Sequence, residues 1–173
     1  MRRARDSQKA KLYRAERDDI SKGRTFKDIC ETKKFVAKVI SSKWSQKHFL
    51  NYMSIVVKDG RGTRIARSYG DVINVPVWAR NELIVLHELA HSLRIGSNSE
   101  HSSHGWLFCN TFLKLVKHFM GKETHDKLKQ SFKKHKVRFN RPYKRKSNYS
   151  GNPEALKKWR EQQKEIKSAA SQE

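Results

Sequence analysis

The pattern of hydrophobic and polar positions changes its period twice along the chain. Apolar residues recur every three or four positions over the first 40 residues, which is typical of amphipathic helices. A stretch rich in β-branched and aromatic residues follows, and the helical period then returns after Pro76. The pattern predicts helices at 4–20, 26–40, 77–93, 105–120 and 123–135, with a further helix at 152–168.

The middle stretch predicts a small sheet. Residues 52–57 and 63–69 are expected to form a hairpin around the turn at 59–62, and residues 72–75 are expected to form a third strand. This sheet is antiparallel or mixed and has about three strands. Together the two periods predict an α+β fold in which helices pack against the sheet.

The composition of the chain indicates that only part of it forms a compact domain. The 173 residues include 39 Lys and Arg against 17 Asp and Glu, for a net charge of +22, and 36% of them are hydrophobic. This apolar fraction is low for one compact domain, although aromatic residues make up 10% of the chain and can anchor a core. We therefore predict one domain over residues 1–140 and a basic linker with a C-terminal helix over residues 141–173.

Three classes of protein are excluded by features that the sequence lacks. No run of about 18 apolar residues is present, so we expect no membrane span. The charged N-terminus has no apolar core of a secretory signal, which predicts a cytoplasmic protein. Cys30 and Cys109 are too far apart for a Cys-x-x-Cys pair, which argues against a disulfide scaffold or a cysteine zinc ribbon. We expect both thiols to be buried and reduced.

The strongest chemical signal is the sequence HELAH at 87–91, inside the helix predicted at 77–93. His87 and His91 are four positions apart, so both imidazoles lie on one face of a helix and can ligate one zinc ion. Glu88 lies about 100° round the helix, where its carboxylate can reach a metal-bound water without ligating the metal. Zinc lowers the pKa of that water toward about 7, and Glu88 then accepts its proton as general base. The motif predicts a zinc-dependent hydrolase, within that class a metallopeptidase, with one zinc ion per chain.

A catalytic zinc site also needs a third protein ligand and an open fourth position. His104 is the preferred candidate, because it follows the motif by 13 residues and begins a predicted helix that can hold it in place. His101, in the middle of the preceding loop, and Glu123 are the alternatives. The metzincin spacing is excluded, because the glycine and the histidine that it requires after HELAH are absent. Tyr69 and Arg80 are candidate donors to an oxyanion.

A second function follows from the distribution of charge. Residues 133–146, KKHKVRFNRPYKRK, contain eight basic and no acidic side chains, with Phe139 and Tyr143 between them. Such a segment attracts nucleic acid or another polyanion, and its aromatic rings can stack on bases. The alternative function is therefore a basic nucleic-acid-binding protein with a structural or degenerate zinc site. The side chains expected to contact nucleic acid are those of Lys133, Lys134, Lys136, Arg138, Arg141, Lys144, Arg145 and Lys146.

Several motifs carry a resemblance to known families. HELAH at 87–91, followed by HGWLF at 104–108, resembles the SprT-like zinc metallopeptidases, in which HExxH is followed by a loop and HGxxF. RDSQKAKLY at 5–13, VPVWARNELIVLHELAH at 75–91 and MG followed by KVRF look like a family of zinc metallohydrolases from bacteriophages and actinobacteria. The likeness covers roughly residues 5–140.

The resemblance implies a zincin-like minimal metalloprotease domain, in which a small three-stranded sheet packs on the active-site helix and on further helices. It implies that His87, His91 and His104 ligate zinc and that Glu88 is catalytic. The substrate is then a protein or peptide, in the host cell cytoplasm if a phage encodes the chain. SprT-like proteases that clear DNA–protein crosslinks usually add a cysteine zinc ribbon, which this chain lacks. In zincins an edge strand near the metal binds extended peptide, and the strand at 72–75 is the candidate for that role.

Overall fold

The computed structural model describes residues 6–49, 55–93 and 102–140. Within these ranges the chain forms six α-helices, a short 3₁₀ helix at Val77–Ala79 and a three-stranded mixed sheet, so the α+β class is confirmed. The helices are α1 (Lys9–Arg17), α2 (Ile29–Ser41), α3 (Lys43–His48), α4 (Glu82–Leu93), α5 (Trp106–Phe119) and α6 (Lys122–Lys134), and the strands are β1 (Val56–Asp59), β2 (Arg67–Tyr69) and β3 (Val72–Val75). None of the described helices is long and apolar enough to cross a membrane.

Short polar side chains that accept hydrogen bonds from backbone amides decide where two of the helices begin. The helix predicted from residue 77 begins only at Glu82, because the backbone first makes the 3₁₀ turn. Oδ1 of Asn81 then accepts a hydrogen bond from the Ile84 amide at 3.1 Å and caps α4. The helix α3 was not predicted, and it begins where the Ser42 hydroxyl accepts a hydrogen bond from the Ser45 amide at 3.1 Å. The helix predicted at 152–168 lies outside the described residues.

The central strand of the sheet is β3, and the strand order is β1-β3-β2. In this order β1 runs parallel to β3 with Val57 opposite Ile73, and β2 runs antiparallel to β3 with Ser68 opposite Ile73. The predicted hairpin between 52–57 and 63–69 is therefore wrong. The antiparallel pair is β2 with β3, and it turns at Gly70, whose φ of 60° suits a tight turn.

The expectation that residues 72–75 form an edge strand is also wrong. Ile73 and Val75 of β3 are fully buried, whereas β2 has two exposed residues and one partly buried residue. The strand with the more buried side chains takes the centre, because only there do neighbours cover it along both edges. Within the described sheet the edges are β1 and β2.

The helix α4 lies at the centre of the packing, against α5, α2 and strands β2 and β3. Its predicted apolar stripe is buried, and so are Val85 and Leu89 on its other faces. The stripe consists of Leu83, Leu86, Ala90 and Leu93. Because this helix is buried nearly all round, the polar side chains of His87 and Glu88 within it need partners.

The N-terminal helix α1 packs on α6. Leu12 and Ala15 of α1 are fully buried. The Ser131 hydroxyl lies 3.0 Å from the Ala15 carbonyl and 2.7 Å from the Asp18 carboxylate, and Nζ of Lys134 donates to the same carboxylate at 3.1 Å. These contacts bring the segment that precedes and includes α1 beside the polar residues of α4.

Candidate metal centre

Three imidazoles from two segments converge beside α4. His87 and His91 lie one turn apart on α4, and His104 comes from the turn that precedes α5. One ligand atom of each lies within 4.8 Å of the other two. His87 and His104 are buried and His91 is partly exposed. Across the described ranges, no other group of three His, Cys, Asp or Glu side chains has this spacing.

Glu123, one of the two alternative third ligands, is not part of this group. Glu123 lies on α6 with 84% of its side chain exposed, and its Oε1 is 3.0 Å from Nζ of Lys127. His101 lies outside the described residues. Of the three candidates for the third ligand, the structure brings His104 to the pair.

The two candidate oxyanion donors are engaged elsewhere. The Arg80 guanidinium donates to the Asp59 carboxylate at 2.7 Å, and only 6% of the arginine is exposed. The Tyr69 hydroxyl accepts a hydrogen bond from Arg67 at 2.9 Å and the ring is 59% exposed. Neither residue lines the cleft that opens beside His87.

Carboxylates from the N-terminal segment hold two of the imidazoles. Nδ1 of His87 lies 2.5 Å from Oε1 of Glu16, and Nδ1 of His104 lies 2.6 Å from Oδ2 of Asp6. A histidine that donates its Nδ1–H to a carboxylate presents Nε2 to a metal, with its tautomer and ring orientation fixed. Nε2 of His104 is buried without a hydrogen-bond partner, a state that costs free energy unless a ligand satisfies it. The donor set therefore fits a bound metal ion.

The backbone around His104 is fixed as well. Its carbonyl accepts a hydrogen bond from Nε2 of Gln8 at 2.5 Å, and Oε1 of Gln8 accepts one from the Arg138 amide at 3.0 Å. The Gly105 amide donates to the Ser102 carbonyl at 3.0 Å. A Cβ at residue 105 would lie 3.0 Å from the Ser102 hydroxyl, so any larger residue after the histidine in HGWLF would require Ser102 to shift.

Three aromatic rings pack against the imidazoles, and one of them is Phe112 of α5, whose centroid lies 5.5 Å from that of His87. Phe108, the last residue of HGWLF, is fully buried, and its centroid lies 4.3 Å from that of His91, 4.9 Å from that of His87 and 5.1 Å from that of His104. Tyr13 of α1 lies 5.9 Å from His87 and 5.5 Å from His104 between centroids. Burial and then the nearby carboxylates raise the pKa of Tyr13 to about 12, so its phenol stays protonated at neutral pH.

Burial and the N-terminal carboxylates set the charges in the cluster. Burial is the largest effect on Glu88 and raises its pKa, which the charge of His87 opposes and that of Glu16 reinforces. Burial also lowers the pKa of His87, but the charge and hydrogen bond of Glu16 outweigh it, so the pKa is raised. The pKa of His104 is lowered, first by burial, although the hydrogen bond to Asp6 opposes this. Because a metal binds the neutral imidazole, a proton competes with it more strongly at His87 than at His104.

A cleft of about 510 Å³ gives access to His87 and Glu88. Its walls come from α1, from residues 64–66 ahead of β2, and from Trp78 and neighbouring side chains. The volume lies within the range of about 300–1,000 Å³ that is usual for ligand sites. The nearly buried carboxylate of Glu88 therefore lines a cleft of the size that small ligands occupy.

Sequence reasoning missed four residues of the site, which are Asp6, Gln8, Tyr13 and Glu16. Three of them belong to RDSQKAKLY, the segment that carried part of the resemblance without a physical role. A signal was present, because Asp6 and Glu16 are the only acidic residues among the first 17, beside seven Lys and Arg. A lone carboxylate in a basic segment indicates a specific partner more strongly than one in a mixed surface.

The basic residues predicted to contact nucleic acid are only partly described. The described ones, all exposed, are Lys133, Lys134, Lys136 and Arg138. The others lie outside the described residues and are Arg141, Lys144, Arg145 and Lys146. Phe139 packs against the core, with its centroid 6.1 Å from that of Phe132, so this ring is not free to stack on bases.

The three imidazoles, two of them held by carboxylates, form a cluster that could hold a metal ion. Imidazole suits zinc, but it also suits copper, iron and nickel, so the ligand set alone does not fix the metal. No family model, curated protein or solved structure matches the chain.

Proposed function

We propose that the protein is a zinc-dependent hydrolase that acts as a metallopeptidase, with Glu88 as general base. The observation that carries this proposal is the convergence of His87, His91 and His104 within 4.8 Å. Three protein ligands leave one tetrahedral position open for water or substrate, which is typical of catalytic zinc sites and not of structural ones. The motifs HELAH and HGWLF supply all of these residues, and they support a zincin-like, SprT-like assignment.

Each residue of the site has a role in this reaction. Zinc held by the three imidazoles would lower the pKa of a coordinated water toward about 7 and polarise a substrate carbonyl. Glu88, buried next to His87, accepts the proton of the attacking water and passes it to the leaving amine. Glu16 and Asp6 keep two Nε2 atoms aimed at one point.

Zinc content is the first test of the metal centre. Zinc per chain would be measured by elemental mass spectrometry on untagged wild type, on His104→Ala and on His125→Ala, a histidine of α6 outside the cluster. We expect about one zinc in wild type and in His125→Ala, and loss of zinc in His104→Ala. Folded wild type that takes up no zinc, even when zinc is added back, would refute the metal centre.

Glu88→Gln tests the chemistry separately, because it keeps the three ligands and removes the base. We expect full zinc content with a loss of hydrolysis of about 10²- to 10⁴-fold, the usual contribution of a general base. The assay is mass-spectrometric mapping of new amino termini in a mixture of denatured proteins. If wild type and Glu88→Gln produced the same termini at the same rate, the peptidase assignment would be wrong.

Nucleic-acid binding is the second candidate function. It is favoured by the exposed side chains of Lys133, Lys136 and Arg138, which form no ion pair with an acidic residue in the described part of the chain. A structural zinc site would need a fourth ligand, and Sγ of Cys109 instead lies 3.6 Å from the His104 carbonyl, outside the cluster. Binding to DNA or RNA should weaken steeply as salt rises, and an affinity indifferent to salt would exclude this function.

A further inference from the structure

The cleft beside His87 and Glu88 is lined by basic side chains on several sides. All of them are exposed, and within the described residues none is paired with an acidic side chain. They are Lys9, Arg17, Lys22 and Arg64. Since they come from α1, from the segment after it and from the loop before β2, they surround the cleft and do not form one stripe.

The acidic side chains of the cleft are fewer than the four basic ones and less exposed than they are. Glu16 is held by Nδ1 of His87 at 2.5 Å. Asp18 accepts hydrogen bonds from Ser131 at 2.7 Å and from Lys134 at 3.1 Å. Glu88 is nearly buried. The part of the cleft that an entering ligand meets is therefore positive, and a bound divalent metal would make it more so.

Apolar side chains share the same cleft. Trp78 is 57% exposed and Ile65 is 52% exposed, and Ala66 and Ile84 are partly buried beside them. Exposed apolar side chains that line a cleft lose contact with water when a ligand covers them, which favours binding. An apolar group of the ligand is thus expected next to its acidic groups.

We propose that this cleft binds an acidic segment of a peptide, with an apolar side chain against Trp78 and Ile65 and carboxylates beside Lys22 and Arg64. A peptide is favoured over nucleic acid because Ile65, Ala66 and Ile84 offer aliphatic surface, which suits a side chain better than a base. Cleavage of the bound segment rests on the proposed peptidase function, but binding of the segment does not.

Binding would be measured by fluorescence anisotropy with three labelled peptides of equal length. Each has a central leucine, flanked by glutamate, glutamine or lysine. The protein is the full chain carrying Glu88→Gln, with zinc and again after chelation, so that cleavage does not disturb the titration. We expect affinity to fall from the glutamate to the glutamine to the lysine peptide, and the difference to shrink as salt rises.

A matched pair of charge reversals separates the cleft from the overall charge of the protein. Lys22→Glu with Arg64→Glu changes the cleft, and Lys33→Glu with Lys38→Glu changes exposed positions of α2 by the same amount. Loss of one exposed ion pair weakens binding about 1.4- to 5-fold. We therefore expect the cleft variant, which loses two, to bind the glutamate peptide roughly 2- to 25-fold more weakly. The α2 variant should stay close to the parent protein.

A second comparison tests the apolar contact. Trp78→Ala should remove the preference for a central leucine over a central alanine in the glutamate peptide. Val56→Ala, which changes a residue of β1 that is 47% exposed and lies outside the cleft, should leave that preference in place.

Three results would overturn the inference. Equal weakening by the two reversals would show that the overall charge alone attracts the peptide. A single-stranded oligonucleotide could displace the peptide, and its own affinity could fall in the cleft variant but not in the α2 variant. That pair of results would make nucleic acid the occupant of the cleft. In a separate digestion with the wild-type protein, preferential cleavage of the lysine peptide would also refute the inference, while leaving the peptidase function intact. Acid-selective binding in a protein that takes up no zinc would instead support the inference and refute the proposed function.

Discussion

The carboxylates of Asp6 and Glu16 allow a direct test of the metal centre, because they contact imidazoles and do not act as ligands themselves. Asp6→Asn keeps an oxygen that can accept the Nδ1–H of His104 but removes the charge, and Asp6→Ala removes both. Loss of such a partner typically weakens metal binding 10- to 100-fold, or about 1.4–2.7 kcal/mol. We expect Asp6→Asn to weaken zinc binding by about 10-fold or less and Asp6→Ala to weaken it by more than about 10-fold.

The two carboxylates should differ in the size of this effect. The Glu16 side chain is 11% exposed and that of Asp6 is 23% exposed, so water compensates less for the loss of Glu16. Glu16→Ala should therefore weaken zinc binding more than Asp6→Ala.

Zinc affinity would be measured by competition with a fluorescent chelator of known affinity at neutral pH. Asp71→Asn, an exposed carboxylate in the turn between β2 and β3, is the matched control and should bind zinc like wild type. Urea unfolding of the metal-free variants shows whether each is folded. If folded Asp6→Ala and Glu16→Ala both bound zinc within twofold of wild type, these carboxylates would not orient the ligands, and the argument from their hydrogen bonds would fail.

Three further outcomes follow from packing and burial. Phe108→Ala and Phe132→Ala each remove a fully buried ring and should cost about 3–5 kcal/mol in urea unfolding, but only Phe108→Ala should also weaken zinc binding. The pKa of Asp18 is lowered to about 2, and the largest cause is the hydrogen bond from the Ser131 hydroxyl on α6. Ionised Asp18 therefore stabilises the folded protein above its unfolded pKa of about 3.9, and this stabilisation is lost as pH falls toward about 2. Over that window the urea midpoint should fall more in wild type than in Asp18→Asn. Burial raises the pKa of the Cys109 thiol, while Cys30 is exposed, contrary to expectation, so mass spectrometry after native alkylation should find only Cys30 modified.

The features of the site that could be predicted from the sequence depend on residues close together in the chain. His87 and His91 share a helical face whatever the rest of the chain does, and the glycine after His104 marks the start of α5. The third ligand could be preferred from the sequence for the same reason, because a helix start fixes a side chain better than the middle of a loop does. These inferences needed only the periods of regular secondary structure.

The predictions about the sheet were wrong because a sequence pattern indicates that a strand forms but not which strand it pairs with. The turn signal at 59–62 is real, since Gly60 and Arg61 do follow β1, but it does not say which strand comes next to β1 in the sheet. That choice depends on which strand buries more apolar surface, and Ile73 and Val75 decide it in favour of a central β3. The hairpin was predicted from adjacency in sequence, which was the wrong guide, and the edge position of β3 was expected from the resemblance to zincins.

The contacts of the N-terminal segment were beyond sequence reasoning because they join residues 71 and 98 positions apart. They also have a thermodynamic consequence. With only nine residues, α1 is too short to be stable alone, so its order comes from docking on α6 and on the histidines. If docked Asp6 and Glu16 strengthen zinc binding 10- to 100-fold, linkage requires that zinc strengthen the docking of α1 by the same factor. A segment that supplies no ligand is thus expected to become more protected from hydrogen exchange when zinc binds, and to lose that response in the Asp6→Ala, Glu16→Ala double variant.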